Sequence, residues 1–385
     1  MVQAVRGGEG LRSVARRFSV SVSTVSHWVT HARGKQLARV SFAGGKPGLA
    51  WNRTSPSVEA KILSVRTKLS KHSVLGEYGA DAIAATLAEG PKSAASVSRA
   101  TINRVLARRG AFDAVHRQRR PAPPKGWYLP DLAKGEVEMD SFDFIEDLKI
   151  ADGPLVSLLT GISLHGALAD AWVMPKRGTT ATVEALCAHW QATGLPAYAQ
   201  FDNDMVFQGP HQFADTVGRV SRLCLALGVI QVLAPPREPG LQNAIEGFNA
   251  LWQSKVWRRH HCANVAALRR VSATYIAAHR GKTAHRRESA TTRRPFPKRF
   301  TFDPNAALQG LMIFIRRSDE HGAVHLLGRP YPVDKNWPHR LVRCEVSFTD
   351  RRIRFYALRR REPDNQPLLH EIKYFHNNTT RKGKK

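Results

Sequence analysis

Hydrophobic residues recur at helical spacing near the start of the chain. Between Leu11 and Thr30, apolar or small side chains fall at Val14, Ala15, Phe18, Val20, Val25 and Trp28. This spacing predicts two short helices that meet at a tight turn and share one core, with Ser21 capping the second helix. That second helix is predicted to expose the side chains of Ser21, Ser23, Ser26 and His27.

A second helical region is predicted over residues 56–115, after a linker rich in Gly and Pro at residues 42–56. Its last part, SVSRATINRVLARRG, repeats the spacing of the first segment and is predicted to bury Val97, Ile102 and Val105. The outward side chains are then Arg99, Asn103 and Arg104. Both segments resemble the helix-turn-helix pattern, so we expect residues 1–41 and 56–115 to bind DNA through the major groove. An ordinary helical hairpin is the alternative.

The pattern changes after a charged, Pro-rich linker at residues 116–126. Three alternating segments, GEVEMDSFDF, PLVSLLTGIS and ALADAWVM, predict an antiparallel meander. Helix and strand candidates then alternate through TTATVEALCAHWQATG, AYAQFDND, HQFADTVGRVSRLCLALG, VIQVLAP and GLQNAIEGFNALWQSKVW. Three strands followed by alternating helices and strands predict an α/β core of the ribonuclease-H-like kind over residues 126–285, with trailing helices.

Short alternating segments return near the end of the chain. Over residues 300–376 they are separated by turn residues, which predicts a small β-barrel whose outer faces carry many arginines. Residues 377–385 are basic and are predicted to be a disordered tail. The chain is therefore expected to be multidomain, with an all-α N-terminal region, a central α/β core and a C-terminal barrel.

Charge is distributed unevenly along these regions. The net charge of the chain is +28, with 59 Lys and Arg against 31 Asp and Glu. Residues 1–125 carry a net +16, residues 126–256 a net −7 and residues 257–385 a net +19. An excess of this size favours a polyanionic partner over a merely soluble basic surface. Two basic arms around an acidic middle are typical of nucleic-acid binding around a metal-binding centre.

Other classes of protein are disfavoured by composition. The chain has no run of 18 or more apolar residues, so no membrane span is predicted, and no secretory leader is expected. Its four cysteines share no CxxC spacing, which argues against a zinc knuckle or a disulfide framework. They are Cys187, Cys224, Cys262 and Cys344. We therefore expect a cytoplasmic protein with reduced thiols.

Three acidic residues lie where the predicted sheet would gather them. Asp140 lies in the first strand, Asp202 ends the fourth, and Glu246 lies on the helix after the fifth. Three converging carboxylates repel one another unless cations are present. Oxygen ligands suit Mg²⁺ or Mn²⁺, and two such ions about 4 Å apart can assist both oxygens of a phosphoryl displacement. Asp143 is a rival ligand to Asp140.

The motifs VEMDSF, QFDNDMVF and PPREPGLQNAIEGFN resemble the catalytic core of retroviral integrases and of bacterial insertion-sequence transposases of the DDE type. The third motif is the most specific, because a loop with Pro and Gly precedes the helix with the catalytic Glu. The resemblance implies that Asp140, Asp202 and Glu246 are catalytic and bind two metal ions. Two departures stand out: Asp204 replaces the usual Gly, and 43 residues separate Asp202 from Glu246, more than usual.

The resemblance implies a DNA transposase that cleaves a strand at the ends of a mobile element and transfers it to target DNA. It implies double-stranded DNA and other copies of the chain as partners, in a bacterial cytoplasm where the bound protein is associated with the nucleoid. Lys255 is expected to follow phosphates, and Asn203 and Asn249 to support loops or touch DNA. The alternatives are a catalytically silent, transposase-derived DNA-binding protein and a nuclease of the same fold that joins no strands.

Overall fold

The computed structural model describes residues 1–37, 54–89, 97–112, 125–151, 153–210, 213–235, 238 and 240–376. Most of both predicted linkers and the whole predicted tail lie outside these ranges. The chain divides into two compact units, Met1–Thr67 with Gly79–Phe112 and Lys68–Tyr78 with Asp113–Lys385. None of the helices in the described ranges is both long and apolar enough to cross a membrane.

The first unit is helical in its described parts. Its helices are α1 (Val2–Arg6), α2 (Leu11–Arg17), α3 (Val22–His31), α4 (Pro56–His72, of which the residues from Lys68 belong to the second unit), α5 (Ala80–Ala88) and α6 (Arg99–Arg108). The two predicted pairs of short helices are thus α2 with α3 and α5 with α6. These pairs follow the apolar spacing that predicted them.

Helices α2 and α3 close on a small core as the sequence predicts. Val14, Ala15 and Val25 are buried there, and the Ser21 Oγ caps α3 by accepting a hydrogen bond from the Thr24 amide (3.1 Å). The turn between the helices contains Ser19 at φ 51°, the region where Gly is usual. The prediction that Phe18 joins this core is wrong.

Phe18 lies just beyond the end of α2 and is 43 % exposed. The Arg17 guanidinium lies over its ring, 5.1 Å from the centroid. Because α2 stops one residue earlier, the Phe18 side chain leaves the face that carries Val14. The apolar spacing alone did not indicate where that helix ends.

Helices α4, α5 and α6 bury an aliphatic core that includes Ile62, Ile83 and Ile102. Val105 is also buried as predicted, whereas Val97 is only half-buried at the start of the described segment. A buried carboxylate, Glu59, accepts hydrogen bonds and ion pairs from Arg108 and Arg109. These two arginines at the end of α6 are therefore fixed by the fold.

The second unit is built on one large mixed sheet and surrounding helices. Its strands are β1 (Met139–Lys149), β2 (Leu155–Ser163), β3 (Ala169–Met174), β4 (Tyr198–Phe201), β5 (Ile230–Leu233), β6 (Leu311–Arg317), β7 (Ala323–Leu326), β8 (Arg329–Pro332), β9 (Leu341–Ser347), β10 (Arg352–Ala357) and β11 (Leu368–Lys373). Its helices are α7 (Pro130–Ala133), α8 (Thr179–Thr193), α9 (Met205–Gln208), α10 (Arg219–Ala226), α11 (Asn243–Trp252), α12 (Val265–Lys282) and α13 (Ala284–Glu288). A π-helical turn, Gln253–Trp257, continues α11.

The predicted meander and the alternation of helices and strands are both present. Strands β1, β2 and β3 pair antiparallel, and β1, β4 and β5 pair parallel, in the spatial order β3-β2-β1-β4-β5. Helix α8 connects β3 to β4, and α10 lies between β4 and β5. The mixed sheet flanked by helices is consistent with an integrase-like core.

The prediction of a separate C-terminal β-barrel is wrong. Strand β6 pairs parallel with β5, and β9, β10 and β11 follow antiparallel, so nine of the eleven described strands form one sheet in the order β11-β10-β9-β6-β5-β4-β1-β2-β3. Strands β7 and β8 pair with each other in a separate two-stranded sheet. Five consecutive residues of β6, from Met312 to Arg316, are buried. A strand buried on both faces suits the interior of a covered sheet better than a barrel wall with one wet face.

Two hydrophobic layers cover the two faces of the sheet. Phe142 of β1 packs in the layer that contains α8 and α10, whereas Ile145 packs in the layer that contains α11 and α12. Because successive side chains of a strand point to opposite faces, even-numbered residues at the start of β1 face α8 and odd-numbered residues face α11. This alternation separates Asp140 from Asp143.

Candidate active site

Asp143 and Asp202 lie at equivalent positions in the register of the neighbouring parallel strands β1 and β4, Asp202 directly after the end of β4. In this parallel pair, Ser141 lies opposite Gln200, and its Oγ donates a hydrogen bond to Gln200 Oε1 (3.0 Å). Asp143 and Asp202 each lie two residues further along, so the alternation of side chains predicts that they share this face. The charge of Asp202 does act on Asp143.

Helix α11 covers this face and supplies two further polar groups. Asn249 Nδ2 donates a hydrogen bond to Asp143 Oδ2 (2.8 Å), and Thr160 Oγ1 of β2 donates to Asn249 Oδ1 (2.6 Å). Glu246 lies three residues before Asn249, on the same side of the helix, and is exposed. The helix therefore fixes Asp143 through Asn249 and carries the exposed Glu246 about one turn before that contact.

The carboxylates at this end of the sheet repel one another. Burial raises the pKa of Asp143, and the negative charges of Asp202 and Glu246 add to this effect, giving a pKa of about 6. Burial also raises the pKa of Asp202, with a contribution from the charge of Asp204. Half-buried like charges of this kind are typical of sites that hold cations or move protons.

The loop that follows Asp202 is fixed by hydrogen bonds and an ion pair of Asn203 and Asp204. Asp204 caps α9 by accepting a hydrogen bond from the Val206 amide (2.7 Å), and it pairs with Arg177 at 2.9 Å. Asn203 accepts a hydrogen bond from the buried Arg316 (2.7 Å) and donates one to a backbone carbonyl. Asp204, the departure from the family pattern, is thus occupied as a cap and an ion-pair partner.

Asp140, predicted as the first metal ligand, lies on the opposite face of the sheet. Its carboxylate is 1 % exposed and receives both terminal nitrogens of Arg293, with Nη1 at 3.1 and 3.2 Å, and the Trp190 indole N–H at 3.1 Å. The structure therefore does not bring Asp140 together with Asp202 and Glu246. The physical reason is strand parity, because positions 140 and 143 differ by an odd number of residues.

A buried histidine links Asp140 to a second aspartate. His189 of α8 lies with Nε2 3.6 Å from Asp140 and Nδ1 3.1 Å from Asp170, which in turn pairs with Arg280 at 2.8 Å. Burial lowers the pKa of His189, but the hydrogen bonds and charges of both aspartates outweigh it and raise the pKa above the ordinary value. Arg293, Asp140, His189, Asp170 and Arg280 form a continuous chain of charges, here named the buried charge chain.

The donor set around Asp143 suits a hard divalent cation. Among the described residues, no group of three or more His, Cys, Asp or Glu side chains is arranged to hold a metal ion. Mg²⁺ usually takes only one or two carboxylates together with waters and substrate phosphates. The chemistry of Asp143 and Asp202, on the face of the sheet that α11 covers, therefore fits such an ion without a complete protein cage.

The residues predicted to contact DNA in the first unit are placed in two different ways. On α3, Ser21, Ser23, Ser26 and His27 are all exposed. On α6, Arg99 is exposed and pairs with Asp81 (3.2 Å), Arg104 is exposed, and Asn103 is half-buried. The exposure of these side chains agrees with the helical spacing, and their contact with DNA stays a prediction.

Lys255, predicted to follow phosphates, has a structural contact instead. Its ammonium donates a hydrogen bond to the Gly76 carbonyl (3.0 Å), and a Cβ added at Gly76 would lie 2.8 Å from Lys255 Cδ. Arg259, one turn later, donates to the Ser73 carbonyl (2.6 Å). These side chains hold the segment Lys68–Tyr78 against the second unit to which it belongs.

Comparison with known proteins gives a structural likeness and no sequence match. No protein family and no curated protein sequence matches the chain significantly. The simian T-cell lymphotropic virus intasome, solved with PP2A regulatory subunit B56 gamma, is similar over 69 % of this chain and 85 % of that chain, at 13 % identity and a TM-score of 0.33. The catalytic core domain of BIV integrase is similar over 36 % and 81 %, at 18 % identity and a TM-score of 0.26.

These neighbours are a viral intasome and an integrase catalytic core. The likeness is remote, so the class of fold rests on the strand order and pairing described above. The sequence indicated the two elements that carry Asp202 and Glu246 but did not single out Arg293, Trp190 or His189. Period-two alternation in β1 was the signal that could have separated Asp143 from Asp140.

Proposed function

We propose that the chain is a polynucleotidyl transferase that cuts and joins DNA strands, with Asp143, Asp202 and Glu246 as its acidic residues. The observation that carries this proposal is the register of β1 with β4, which places Asp143 and Asp202 on the face of the sheet covered by α11, the helix of Glu246. Asn249 holds the Asp143 carboxylate through its hydrogen bond, and Thr160 holds Asn249. Divalent ions, when bound there, supply positive charge to the attacking and leaving oxygens.

The proposed reaction has two displacements at phosphorus. In the first, a water oxygen attacks a phosphodiester at the end of the DNA element, the bond from phosphorus to the 3′ oxygen breaks, and a proton that the water gives up passes to that oxygen. The products are a 3′-hydroxyl and a 5′-phosphate. In the second, this hydroxyl attacks a phosphodiester of target DNA, and its proton passes to the 3′ oxygen that leaves. The acidic residues would hold divalent cations, and the positive charge of those cations would attract and orient the phosphate.

A strand-transfer assay tests the proposal directly. The full chain is incubated with labelled duplex DNA that flanks its own gene, with Mg²⁺ or Mn²⁺, and products are separated on a denaturing gel. Joined strands longer than the substrate are expected, and Asp202→Asn and Glu246→Gln should remove them while Asp147→Asn should not. Cleavage without joined strands would indicate a nuclease of the same fold.

The alternative function is a catalytically silent, transposase-derived DNA-binding protein. The specific observation that favours it is that no group of three or more His, Cys, Asp or Glu side chains in the described ranges could hold a metal ion. Calorimetric titration with Mn²⁺ separates the two functions, because a silent protein with intact folds should bind DNA and show no saturable binding of the ion. Saturable binding that Asp202→Asn removes would favour the transferase.

A groove rich in arginine is the best candidate in the second unit for DNA phosphates. It has a volume of about 430 Å³ and contains Arg317, Arg340, Arg359, Arg360 and Arg361. The guanidinium groups of Arg340 and Arg359 lie over the Trp337 ring, at 4.6 and 5.7 Å from its centroid. Stacked guanidinium groups are pre-organised for phosphate contacts.

The position and charge of this arginine groove favour a path for bound DNA that leads from the groove towards Glu246. A Cβ at Gly240 would lie 3.2 Å from Arg360 Nη2, and Gly240 precedes α11 by three residues. Arg317 pairs with Glu238 and Arg359 with Glu362 (3.3 Å). Arg340, Arg360 and Arg361 form no ion pair within the part of the chain that the structure describes. They are free to neutralise phosphates.

We predict that replacing Arg340, Arg360 and Arg361 together with Gln weakens DNA binding and its dependence on salt. Each lost phosphate contact should reduce the slope of log Kd against log salt by about 0.9, so the slope should fall by about 2 to 3. Fluorescence anisotropy on labelled duplex DNA from about 50 to 200 mM salt measures it.

A matched control removes three charges elsewhere in the second unit, with Lys134, Lys149 and Arg270 changed to Gln. All three are exposed. An equal loss of slope in the control would mean that only net charge matters and that the groove has no special role.

A further inference from the structure

A cavity of about 280 Å³ lies beside the candidate site, on the face of the sheet covered by α11. Its walls are largely apolar and include Trp127, Tyr128, Met139, Ile162, Leu164 and Leu241. The volume is close to the lower end of small-molecule pockets, roughly 300 to 1,000 Å³. The cavity therefore has room for a flat aromatic group of modest size.

The cavity shares two strands and a helix with the candidate site. Ser141 and Gln200 contribute to its lining, and each lies two residues before Asp143 or Asp202 on the same strand or its end. Gln200 is already satisfied, because its Nε2 donates to the Tyr128 hydroxyl (2.6 Å) and to the Leu241 carbonyl (3.1 Å). Other polar capacity comes from Asn243, which is exposed on the first turn of α11, one turn before Glu246.

Two cations line the same cavity close to each other. Lys125 Nζ and Arg286 Nη2 both donate to the Leu164 carbonyl, at 3.5 and 3.2 Å. Burial lowers the pKa of Lys125, and the charge of Arg286 lowers it further, against a smaller opposite effect of Glu138. Two positive groups that share one carbonyl repel each other, and this arrangement costs free energy unless an anion joins them.

The described carboxylates do not satisfy this pair. Neither Lys125 nor Arg286 has an ion-pair partner among the residues that the structure describes. Glu138, the carboxylate that acts on Lys125, accepts hydrogen bonds from the backbone amides of Met139, His165 and Gly166 (2.8 to 3.0 Å). The described residues thus leave this pair of cations able to bind an anion.

An apolar cavity beside an unsatisfied pair of cations suits a ligand with an aromatic body and one anionic group. A nucleotide has this composition, because its base has an apolar π-face and its phosphate is an anion. Enzymes that do chemistry on a base turn it out of the stack into such a pocket, and aromatic side chains that bind single strands stack on bases of any sequence. An aromatic carboxylic acid of similar size would also pair with the cations. The candidate DNA site next to the cavity favours a nucleotide over such an acid.

We propose that the cavity accepts one unpaired nucleotide of the DNA strand held at the candidate site, with its base against Trp127 and Tyr128 and its phosphate between Lys125 and Arg286. This inference rests on the proposed function, since it takes DNA as the substrate. A nucleotide bound in this cavity would fix the DNA strand close to the phosphodiester that reacts beside Asp143 and Asp202. It would also explain why Lys125 and Arg286 have no ion-pair partner among the described residues.

Mononucleotide binding tests the cavity without requiring catalysis. The full chain is titrated calorimetrically in EDTA with thymidine 5′-monophosphate, thymidine and inorganic phosphate in separate experiments. The monophosphate is expected to bind at least tenfold more tightly than thymidine or phosphate, because only it engages both the cavity and the cations. Equal binding of the monophosphate and inorganic phosphate would overturn the proposal and leave a simple anion site.

Two variants identify the two halves of the site. Ala244→Leu adds bulk to the cavity wall and should weaken binding of the monophosphate about tenfold without changing that of phosphate, whereas Ala250→Leu, exposed on the same helix, should change neither. Lys125→Gln with Arg286→Gln should weaken both ligands. Unchanged monophosphate binding in either variant would contradict the proposed position, and circular dichroism checks that each variant folds.

The strand-transfer assay separates this inference from the proposed function. If the chain binds the monophosphate as expected but joins no DNA, the proposed nucleotide site is supported and the proposed transferase function is contradicted. A chain that joins DNA but binds monophosphate no better than phosphate would retain the transferase and lose the nucleotide site. A duplex with 2-aminopurine at its end gives the same answer on DNA, since its fluorescence should change in the native chain and not in Ala244→Leu.

Discussion

Replacing Asp143 with Asn is expected to lower the rate of strand transfer about a thousandfold while the protein stays folded. A cation at a phosphoryl displacement contributes several kcal/mol, and each 1.4 kcal/mol is about tenfold in rate. Asn keeps the shape of the side chain and removes a charge that Asp202 and Glu246 oppose. Single-turnover strand transfer measures the rate, and thermal unfolding checks the fold.

Asp147→Asn is the matched control for this variant. Asp147 lies on the same strand, is exposed and has a positive φ of 55°, a conformation that Asn adopts readily. Its rate of strand transfer should equal that of the native chain. Native activity in Asp143→Asn would remove Asp143 from the reaction and with it the proposed set of acidic residues.

Replacing Asp140 with Asn is expected to have its main effect on stability. Asp140 is a buried partner of Arg293, and removing one partner of such a pair leaves an uncompensated charge, at a cost of about 3 to 5 kcal/mol in the free energy of unfolding. His189 and the Trp190 N–H lose the same acceptor charge. Urea unfolding followed by tryptophan fluorescence measures the loss.

The contrast between the two variants decides which aspartate is catalytic. If Asp140→Asn kept the stability of the native chain and abolished strand transfer, Asp140 would be the acidic residue of the reaction after all. Strand transfer by Asp140→Asn is best measured at low temperature, where the variant is most nearly folded. Activity per folded molecule should then stay close to that of the native chain.

The buried charge chain also makes the stability depend on pH in both directions. Burial alone would raise the pKa of Asp140, but Arg293 and His189 lower it overall, so its contribution is present above the ordinary value of 3.8 and is lost as pH falls through the depressed pKa. His189 has a raised pKa, so its contribution is complete below 6.5 and is lost as pH rises through that raised value. Both contributions are therefore present between 3.8 and 6.5, and this dependence should flatten in Asp140→Asn.

Local patterns in the sequence were sufficient for many of the elements. The spacing of Val14, Ala15 and Val25 predicted the packing of α2 on α3, and Ser21 caps α3 as expected. The alternation in residues 136–174 predicted the meander, and the later helices and strands follow the predicted order. These features depend on side chains near each other in sequence, where periodicity and capping act directly.

The choice between Asp140 and Asp143 depends on contacts that are distant in sequence. Both lie in one strand and both are acidic, so the sequence motif fits either. The pairing of β1 with β4, more than 50 residues later in the chain, and the contact with Asn249 determine which face meets Glu246. Arg293, from a segment beyond α13, neutralises the other aspartate. A shift of one residue along the strand moves a side chain to the opposite face of the sheet, so the position of each aspartate in β1 determines its role.

The chain's own sequence thus determined which segments form helices and strands, where α3 begins, and that acidic residues fall at the ends of strands. Only the tertiary structure shows that β6 pairs with β5, so that the C-terminal strands extend the core sheet. Only the tertiary structure shows that Asp140 is surrounded by Arg293 and His189. The physical reason is that edge pairing and burial of charge depend on partners supplied by remote segments, whose positions no local periodicity specifies.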